Sequence, residues 1–208
     1  GERIIGRKIG LTSEAMQRQL GVDQPDFGVI TDAMVVPEGS AFSVNALIAP
    51  RVEAEFAFRI GSALPPSPTI DELIAAVDGV ALALEIIDSR IADWRIGLRD
   101  TVADNASSAR IVHGEFLRPA GLLTALPTTE IHLERDGVIV ATGPGSAVLG
   151  DPLVSLHWLA RAIGTYGDVF EAGQVVLAGA VAAAVPLDAG RTWTARAEGF
   201  PSTTFTSI

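Results

Sequence analysis

Two glutamates in one strand-like segment are the first candidates for chemistry. The segment is Arg51-Val-Glu-Ala-Glu-Phe-Ala-Phe58. Side chains two positions apart on a strand point the same way, so Glu53 and Glu55 should share one face. Neighbouring carboxylates repel each other, and such a pair needs solvent, a cation or a shifted pKa. A solvated outer face is the simplest interpretation of an isolated Glu-x-Glu pattern.

A third carboxylate makes a cation site the stronger interpretation. Glu85 lies within Val80-Ala-Leu-Ala-Leu-Glu-Ile-Ile87, an apolar segment that reads as a second strand. A lone glutamate in such a run is costly to bury without a partner. Carboxylates from neighbouring strands could together bind a hard cation such as Mg²⁺ or Mn²⁺, with water or substrate oxygens as further ligands. The sequence therefore predicts a divalent-metal site at Glu53, Glu55 and Glu85.

The composition is that of a folded domain without the basic cluster that a polyanion would bind. The chain has 208 residues, a net charge of −10 and no cysteine. Without a basic cluster, nucleic acid is not an expected partner. The absence of cysteine removes disulfides, thiolate nucleophiles and Cys-ligated zinc, and it is compatible with a cytoplasmic location. No uncharged apolar run approaches the roughly 18 residues of a membrane span. His113, His132 and His157 lack metal-ligand spacing and should have surface or hydrogen-bonded roles.

Strands should outnumber helices in the elements that position these residues. One domain over residues 1–208 is expected, with an α+β fold built on mixed sheets. The pattern predicts helices over 14–20, 69–78 and 151–163, and a hairpin over 131–140 that turns at Asp136-Gly137. It predicts extended segments over 4–11, 29–36, 174–179, 191–198 and 203–206. The polar stretches 88–94 and 100–108 read as irregular loops of the kind that often carry sites.

Six segments also stand in the order found in a known family. They are Gly6-Arg-Lys-Ile-Gly-Leu-Thr-Ser13, Gly21-Val-Asp-Gln-Pro-Asp-Phe-Gly28, Pro50-Arg-Val-Glu-Ala-Glu-Phe-Ala57, Leu84-Glu-Ile-Ile-Asp-Ser-Arg90, Val102-Ala-Asp-Asn-Ala-Ser107 and Leu149-Gly-Asp-Pro-Leu153. Together they resemble the 2-oxopent-4-enoate hydratase and 4-oxalocrotonate decarboxylase group of the fumarylacetoacetate hydrolase superfamily. The resemblance covers nearly the whole chain.

The resemblance implies a fold, an assembly and a site. The fold would be a mixed β-sandwich or β-roll with flanking helices. A single catalytic domain over residues 1–208 is expected, without the helical N-terminal segment that the family usually carries. Members are usually homo-oligomers, and association with an enzyme of the same pathway is a further expectation. The divalent ion, Mg²⁺ or Mn²⁺, would be held by the same three glutamates.

The resemblance also assigns roles to individual residues. Lys8 and Asp26 should face the substrate, and Ser107 should contact it from the 103–107 loop. Arg90 and Asp104 should brace the site, whereas Trp94 and Trp158 should belong to the core. The simpler alternatives are that Lys8 is a snorkelling lysine, Asp26 a turn-forming aspartate and Ser107 a loop-capping serine.

The family's substrates are short 2-oxo or 2-hydroxydienoic acids, whose carboxylate and keto oxygens suit a hard metal. The reaction implied is hydration of a 2-oxopent-4-enoate-type acid in aromatic meta-cleavage catabolism. Lys8 would neutralise the substrate carboxylate or donate a proton, and burial beside a metal could lower its pKa. Asp26 or a water on the metal would act as the base.

Three other functions stay open. Decarboxylation of 2-oxohex-3-enedioate is the alternative within the group. The segments Gln24-Pro-Asp-Phe-Gly28 and Arg90-Ile-Ala-Asp-Trp94 look hydratase-like, whereas Leu177-Ala-Gly-Ala-Val-Ala-Ala-Ala-Val185 and the Ser108-Ala-Arg110 context lean towards the decarboxylases. Hydrolysis of a C–C bond is disfavoured, since it needs a base such as a Glu–His pair and no histidine precedes His113. A member that binds 2-oxo acids without turnover is the third possibility.

Overall fold

The structure, a computed structural model, describes residues 1–13, 17–18 and 21–208. The described part of the chain contains twelve strands: β1 (Ile4–Gly10), β2 (Asp26–Thr31), β3 (Ala41–Phe42), β4 (Arg51–Ile60), β5 (Val77–Ile87), β6 (Ser108–His113), β7 (Glu130–Arg135), β8 (Val138–Pro144), β9 (Val175–Ala180), β10 (Val185–Pro186), β11 (Arg191–Arg196) and β12 (Thr203–Ser207). The helices described are α1 (Ile70–Ala76), α2 (Leu98–Ala103) and α3 (Pro152–Gly164). The helix predicted over 14–20 lies mostly outside the described residues.

The strands form two sheets of mixed direction. The larger sheet has the order β2-β1-β9-β4-β5-β6, with β10 paired to β4. The smaller sheet has the order β3-β12-β11-β7-β8. Most pairs are antiparallel, but β1 runs parallel to β9, and β12 runs parallel to β3. This architecture confirms the predicted α+β fold of mixed sheets with flanking helices.

Alternation along β4 decides which face carries chemistry. Phe56 and Phe58 are fully buried in the main core, which they share with Trp193 and Phe205 of the smaller sheet. The opposite face carries Glu53, Glu55 and then Ala57, which belongs to a second, smaller apolar cluster. The larger sheet is therefore apolar on both faces near Glu55, and this carboxylate has little access to water.

Local sequence signals explain the helix starts. Thr69 Oγ1 accepts a hydrogen bond of 3.2 Å from Glu72 N, and Thr69 N donates to Glu72 Oε2 at 2.7 Å, which completes a capping box. Asp151 Oδ1 accepts from Leu153 N at 2.8 Å. The helix predicted over 69–78 ends earlier, at Ala76, because β5 begins at Val77.

Two other predictions of local structure were only partly right. The segment 29–36 is extended as far as Thr31 and then forms a 3₁₀ turn over Asp32–Met34. The Asp32 side chain accepts bonds from Arg3, which draws the chain out of the strand. The stretch 100–108 contains the end of α2, whose start is stabilised by a 2.8 Å bond from Gly97 N to Asp100 Oδ2. None of the described helices combines the length and the apolar content needed to cross a membrane.

Candidate functional site

The three predicted carboxylates come together on the larger sheet. Glu53 pairs directly opposite Glu85 in the antiparallel β4–β5 register, and Glu55 lies two residues along the same face of β4. One carboxylate oxygen from each glutamate lies within 4.8 Å of the others. The proximity follows from strand alternation within β4 and from the register that β5 adopts beside it.

Two of these carboxylates are buried with incomplete partners. Glu55 and Glu85 are both fully buried. Glu55 Oε2 accepts a 2.8 Å bond from Gly179 N, and Glu85 Oε1 accepts a 2.7 Å bond from Ser108 Oγ. Glu55 Oε1 accepts no hydrogen bond from the described residues, and Glu85 Oε2 accepts none either but forms an ion pair with Lys8 Nζ at 3.2 Å. Buried anionic oxygens without donors are costly, so this donor set fits a hard divalent cation.

The electrostatics of the cluster reflect its burial. Burial raises the pKa of Glu53 to about 7; the Lys8 ammonium opposes this rise and the Glu85 carboxylate adds to it. Burial, followed by repulsion from Glu85 and Glu53, raises the pKa of Glu55 well above its ordinary value. Protons and a metal ion would therefore compete for the same oxygens near neutral pH.

Lys8 is the cation that the fold brings to this cluster. Its side chain projects from β1 and is 4% exposed, and its Nζ lies 3.2 Å from Glu85 Oε2. The same Nζ donates a 3.1 Å hydrogen bond to Ala106 O. Burial lowers the pKa of Lys8, but the surrounding carboxylates, led by Glu85 and Glu53, outweigh burial and raise it. The lowered lysine pKa expected beside a bound metal stays a prediction, because here the carboxylates face the ammonium without an ion to neutralise them.

Asp26 is buried beside Lys8. It begins β2, pairs opposite Gly10, and has a carboxylate whose Oδ2 accepts a 2.6 Å bond from Thr101 Oγ1. Its Oδ1 has no hydrogen-bond partner among the described residues. A Cβ atom added at Gly10 would lie 2.2 Å from this oxygen and 3.4 Å from Lys8 Nζ. Gly10 thus leaves the space in which an ammonium and a free carboxylate oxygen approach each other.

The loop that carries Ser107 is conformationally unusual. Asn105, Ala106 and Ser107 have φ angles of 56°, 49° and 55°, in the left-handed region. Each such residue costs on the order of 1–3 kcal/mol, so the surroundings must impose the conformation. Ser107 is buried, and its Oγ donates a 3.3 Å hydrogen bond to Asp104 Oδ2. Arg90 forms an ion pair with Asp104, in line with the predicted bracing role of both residues.

The two tryptophans lie closer to the surface than predicted. Trp94 is half-buried outside the core. Its indole N–H donates a 3.1 Å hydrogen bond to Ala49 O, and the Arg51 guanidinium lies 4.6 Å from the ring centre. Trp158 packs against the core and against Phe27, with 6.3 Å between ring centres. Trp158 also lines a cleft that the sequence did not reveal.

This cleft, of about 1160 Å³, runs along the outer face of β2 and the end of α3. Phe27, Val29 and Tyr166 contribute to its apolar lining, and it reaches the carboxylate site at Asp26. Its walls come from segments far apart in the chain, so no local sequence pattern could have indicated it.

Ser108 and Thr101 bond to Glu85 and Asp26. Ser108 entered the sequence analysis only as part of a decarboxylase-like segment, and Thr101 was not singled out. Hydroxyl residues in polar loops are common, and their partners are set by the tertiary fold. Each of the three histidines makes a hydrogen bond: His113 with Gly114 O, His132 with Thr142 Oγ1 and His157 with Pro68 O. This agrees with the bonded roles predicted for them.

Comparison with known proteins fits this fold and site. The fumarylacetoacetate (FAA) hydrolase C-terminal family matches residues 7–206. A 2-hydroxyhexa-2,4-dienoate hydratase of Comamonas testosteroni is 45% identical over 194 residues, which cover 91% of this chain and 73% of the relative. A 2-keto-4-pentenoate hydratase of Burkholderia vietnamiensis is 45% identical over 207 residues, 97% of this chain and 77% of the relative.

A solved structure is similar over the whole chain. The 4-oxalocrotonate decarboxylase from Pseudomonas putida G7, complexed with magnesium and adipate, superposes with a TM-score of 0.94 at 36% identity. The match covers 100% of this chain and 79% of the decarboxylase. These matches confirm the resemblance seen in the sequence motifs, and the chain belongs to the fumarylacetoacetate hydrolase C-terminal family.

Proposed function

We propose that this protein is a divalent-metal-dependent hydratase that adds water to a short 2-hydroxydienoate or 2-oxoenoate. The observation that carries the proposal is the buried cluster of Glu53, Glu55 and Glu85, which has unsatisfied oxygens and lies beside Lys8 and Asp26. Relatives named as hydratases of such acids, at 45% identity, support the choice of reaction.

The three glutamates would hold the ion, and Mg²⁺ is the ion we propose. The donor set consists of carboxylate oxygens. These hard ligands suit Mg²⁺ better than they suit softer metals. The related decarboxylase was solved with magnesium, which points the same way. When bound, a divalent ion supplies a Lewis-acid charge that polarises a substrate carbonyl oxygen.

The chain's own residues would provide binding and proton transfer. Lys8 stays protonated beside its carboxylates, so it would bind and orient the substrate carboxylate by a charge-assisted hydrogen bond. Asp26 Oδ1 is a free acceptor, and it would take a proton from the water whose oxygen bonds to C4 of the conjugated acid. C3 takes up one proton as Asp26 releases the one it took, so the net change is the addition of one water and the product is a 4-hydroxy-2-oxo acid. Ser107 would contact the substrate from its loop.

Decarboxylation of 2-oxohex-3-enedioate is the second candidate. It is supported by the similarity to the decarboxylase and by the run of small residues at the end of β9. In that reaction the bond to the distal carboxylate breaks and carbon dioxide leaves. The electron pair passes along the conjugated chain to the C2 oxygen, which takes up one proton to give a 2-hydroxydienoate.

Turnover of the two acids distinguishes these reactions. Purified protein with Mg²⁺ is incubated separately with 2-hydroxypenta-2,4-dienoate and with 2-oxohex-3-enedioate, and the masses of the products are measured by mass spectrometry. A gain of one water from the dienoate supports the hydratase. Loss of carbon dioxide from the dioate without hydration of the dienoate would replace it with the decarboxylase. If neither acid were turned over, both proposals would be contradicted.

Lys8→Ala tests the role of the lysine in the same assay. We expect kcat/KM to fall at least tenfold, as is usual when a preorganised charged donor is removed (about 10² to 10³ for one such group). Mg²⁺ affinity should be kept or tightened, because the ammonium repels a cation. A loss of less than about threefold, under 1 kcal/mol of transition-state stabilisation, would remove Lys8 from the mechanism.

Homo-oligomerisation, association with a pathway enzyme, a cytoplasmic location and the single-domain organisation stay predictions made from the sequence.

A further inference from the structure

We propose that Asn105 is a positioning residue, which anchors the 105–107 turn to the edge of β2 so that Ala106 O aligns the Lys8 ammonium within the site. The inference rests on the proposed function insofar as Lys8 binds the substrate carboxylate. It adds a residue to which neither the sequence patterns nor the site chemistry gave a role.

The first step is the anchor itself. β2 is an edge strand of the larger sheet, so one side of its backbone lacks a neighbouring strand. The Asn105 side chain fills this edge at Val29: its Oδ1 accepts from Val29 N at 2.8 Å, and its Nδ2 donates to Val29 O at 2.9 Å. One amide thus makes both bonds that a strand residue would make, which fixes the position and the orientation of the turn.

The second step is the close approach of the turn to β2. A Cβ atom at Gly28 would lie 2.5 Å from Asn105 O and 2.9 Å from Asn105 Oδ1. Gly28 is therefore needed for the turn to lie on the strand. Gly28 is also the residue that pairs opposite Lys8 in the β1–β2 register. The turn consequently crosses β2 at the level of Lys8.

The third step is the contact with the lysine. Directly after Asn105, Ala106 directs its carbonyl at Lys8 Nζ, 3.1 Å away, and Glu85 Oε2 approaches the same nitrogen at 3.2 Å. A lysine side chain has four rotatable bonds, and two fixed acceptors restrict where its ammonium can lie. The left-handed conformation of the turn is what points the Ala106 carbonyl inwards, and Asn105 holds that conformation through its two bonds to Val29.

The test is a double-mutant cycle between Asn105→Ala and Lys8→Ala. The probe is oxalate, which offers the adjacent oxygens of a 2-oxo acid, bound to the Mg²⁺-loaded protein and measured by calorimetry. In the wild-type background, Asn105→Ala should weaken oxalate binding about tenfold, the effect of a misaligned charge-assisted hydrogen bond. In the Lys8→Ala background it should change oxalate affinity less than about twofold. Mg²⁺ affinity, measured separately, should not change.

Two further variants keep the test decisive if Asn105→Ala folds poorly. Asn105→Asp keeps an acceptor for Val29 N but loses the donor to Val29 O, so it should weaken oxalate binding in the same direction. Gly28→Ala pushes on the same turn from β2 and should also lose its effect without Lys8. Asn45→Ala is the matched control, because Asn45 is an exposed asparagine in a different loop, and this variant should bind oxalate like the wild type.

A folded Asn105→Ala that binds oxalate as the wild type does would overturn the inference. So would a loss of affinity of equal size with and without Lys8, because it would show that Asn105 acts elsewhere. Failure of the proposed function has a different signature: the wild type would bind oxalate with the Asn105–Lys8 coupling intact, but it would turn over neither acid.

Discussion

Glu55 is the residue in which function and stability oppose each other most directly. It is fully buried, it adjoins an apolar cluster, and its Oε1 accepts no hydrogen bond from the described residues. A protein that used this position for stability alone would carry a neutral or apolar side chain there. The carboxylate is instead explained by a cation that compensates for its burial.

Replacing Glu55 with glutamine should separate the two effects. The amide oxygen can still accept from Gly179 N, while the buried negative charge is lost. At pH 8 and without metal, we expect the free energy of unfolding to rise by on the order of 1 kcal/mol. Mg²⁺ affinity should fall by about tenfold to a hundredfold, because one anionic ligand is missing. Urea unfolding and calorimetry with Mg²⁺ measure the two quantities.

Glu130→Gln provides the matched control, since Glu130 is an exposed strand residue far from the cluster in the chain. It should leave both quantities unchanged. Unaltered Mg²⁺ affinity in Glu55→Gln would contradict the ligand assignment, whatever happens to stability.

At the scale of elements, the parallel pairing of β1 with β9 carries Lys8 to the carboxylates. The pairing is close at Gly6, where an added Cβ atom would lie 1.9 Å from Val175 O. Gly6 precedes Lys8 by two residues on the same face of β1, so a change in strand separation here is transmitted to the site.

We therefore expect Gly6→Ala to separate the two strands. Overpacking of this kind typically costs about 1–3 kcal/mol, and a clash with backbone leaves little room for relief. Substrate kcat/KM should fall as well, because Lys8 moves relative to Glu85. Gly97→Ala is the control: Gly97 has a negative φ of −109°, and the nearest atom to its added Cβ is 3.6 Å away. Equal urea-unfolding midpoints for the two variants would contradict the expectation.

The elements also show what sequence reasoning could and could not reach. Glu53 and Glu55 share a face because of alternation within one strand, which is local and readable. Glu85 joins them through a cross-strand register, and the sequence offered only its isolation among apolar residues as a signal. The turn at Asp32 and the helix start at Asp100 involve side-chain hydrogen bonds of one aspartate each, which patterns of hydrophobicity do not show.

Residues that act through others were the hardest to predict. Thr101 and Ser108 each bond a site residue distant in the chain, and Asn105 ties its own loop to the distant strand β2. Their roles depend on partners brought by the tertiary fold, and their own types are ordinary for loops. The cleft beside Phe27 and Trp158 had no signal for the same reason. The resemblance to a family indicated the 103–107 loop, but not which of its groups make the contacts.

At the scale of the whole molecule, the fold concentrates negative charge that water does not reach. Glu53, Glu55 and Glu85 are among the acidic residues behind the net charge of −10, and Glu55 and Glu85 are fully buried. Stability should therefore depend on whether protons or a divalent ion neutralise the cluster. The dependence has a definite sign, because the folded pKa values of Glu53 and Glu55 are both raised.

In the unfolded chain, these glutamates release their protons near the ordinary value of 4.5, whereas folded Glu53 holds its proton up to about pH 7. The folded state thus binds more protons in this window, and the free energy of unfolding falls as the pH rises through it. Glu55 extends the window upwards. With EDTA present, we expect Tm to decrease from pH 5 to pH 8. With saturating Mg²⁺, the metal-induced gain in Tm should grow over the same range, because protons compete less.

The double variant Glu53→Gln/Glu55→Gln isolates this contribution from all other titrating groups. Its Tm in EDTA should decline less between pH 5 and pH 8 than that of the wild type, and Mg²⁺ should no longer raise it. If the two proteins had the same pH slope in EDTA, the raised pKa values would not describe the folded protein. If Mg²⁺ stabilised both equally, the ion would bind elsewhere. A steeper wild-type slope that Mg²⁺ cancels would tie the charge of this cluster to the folding of the entire chain.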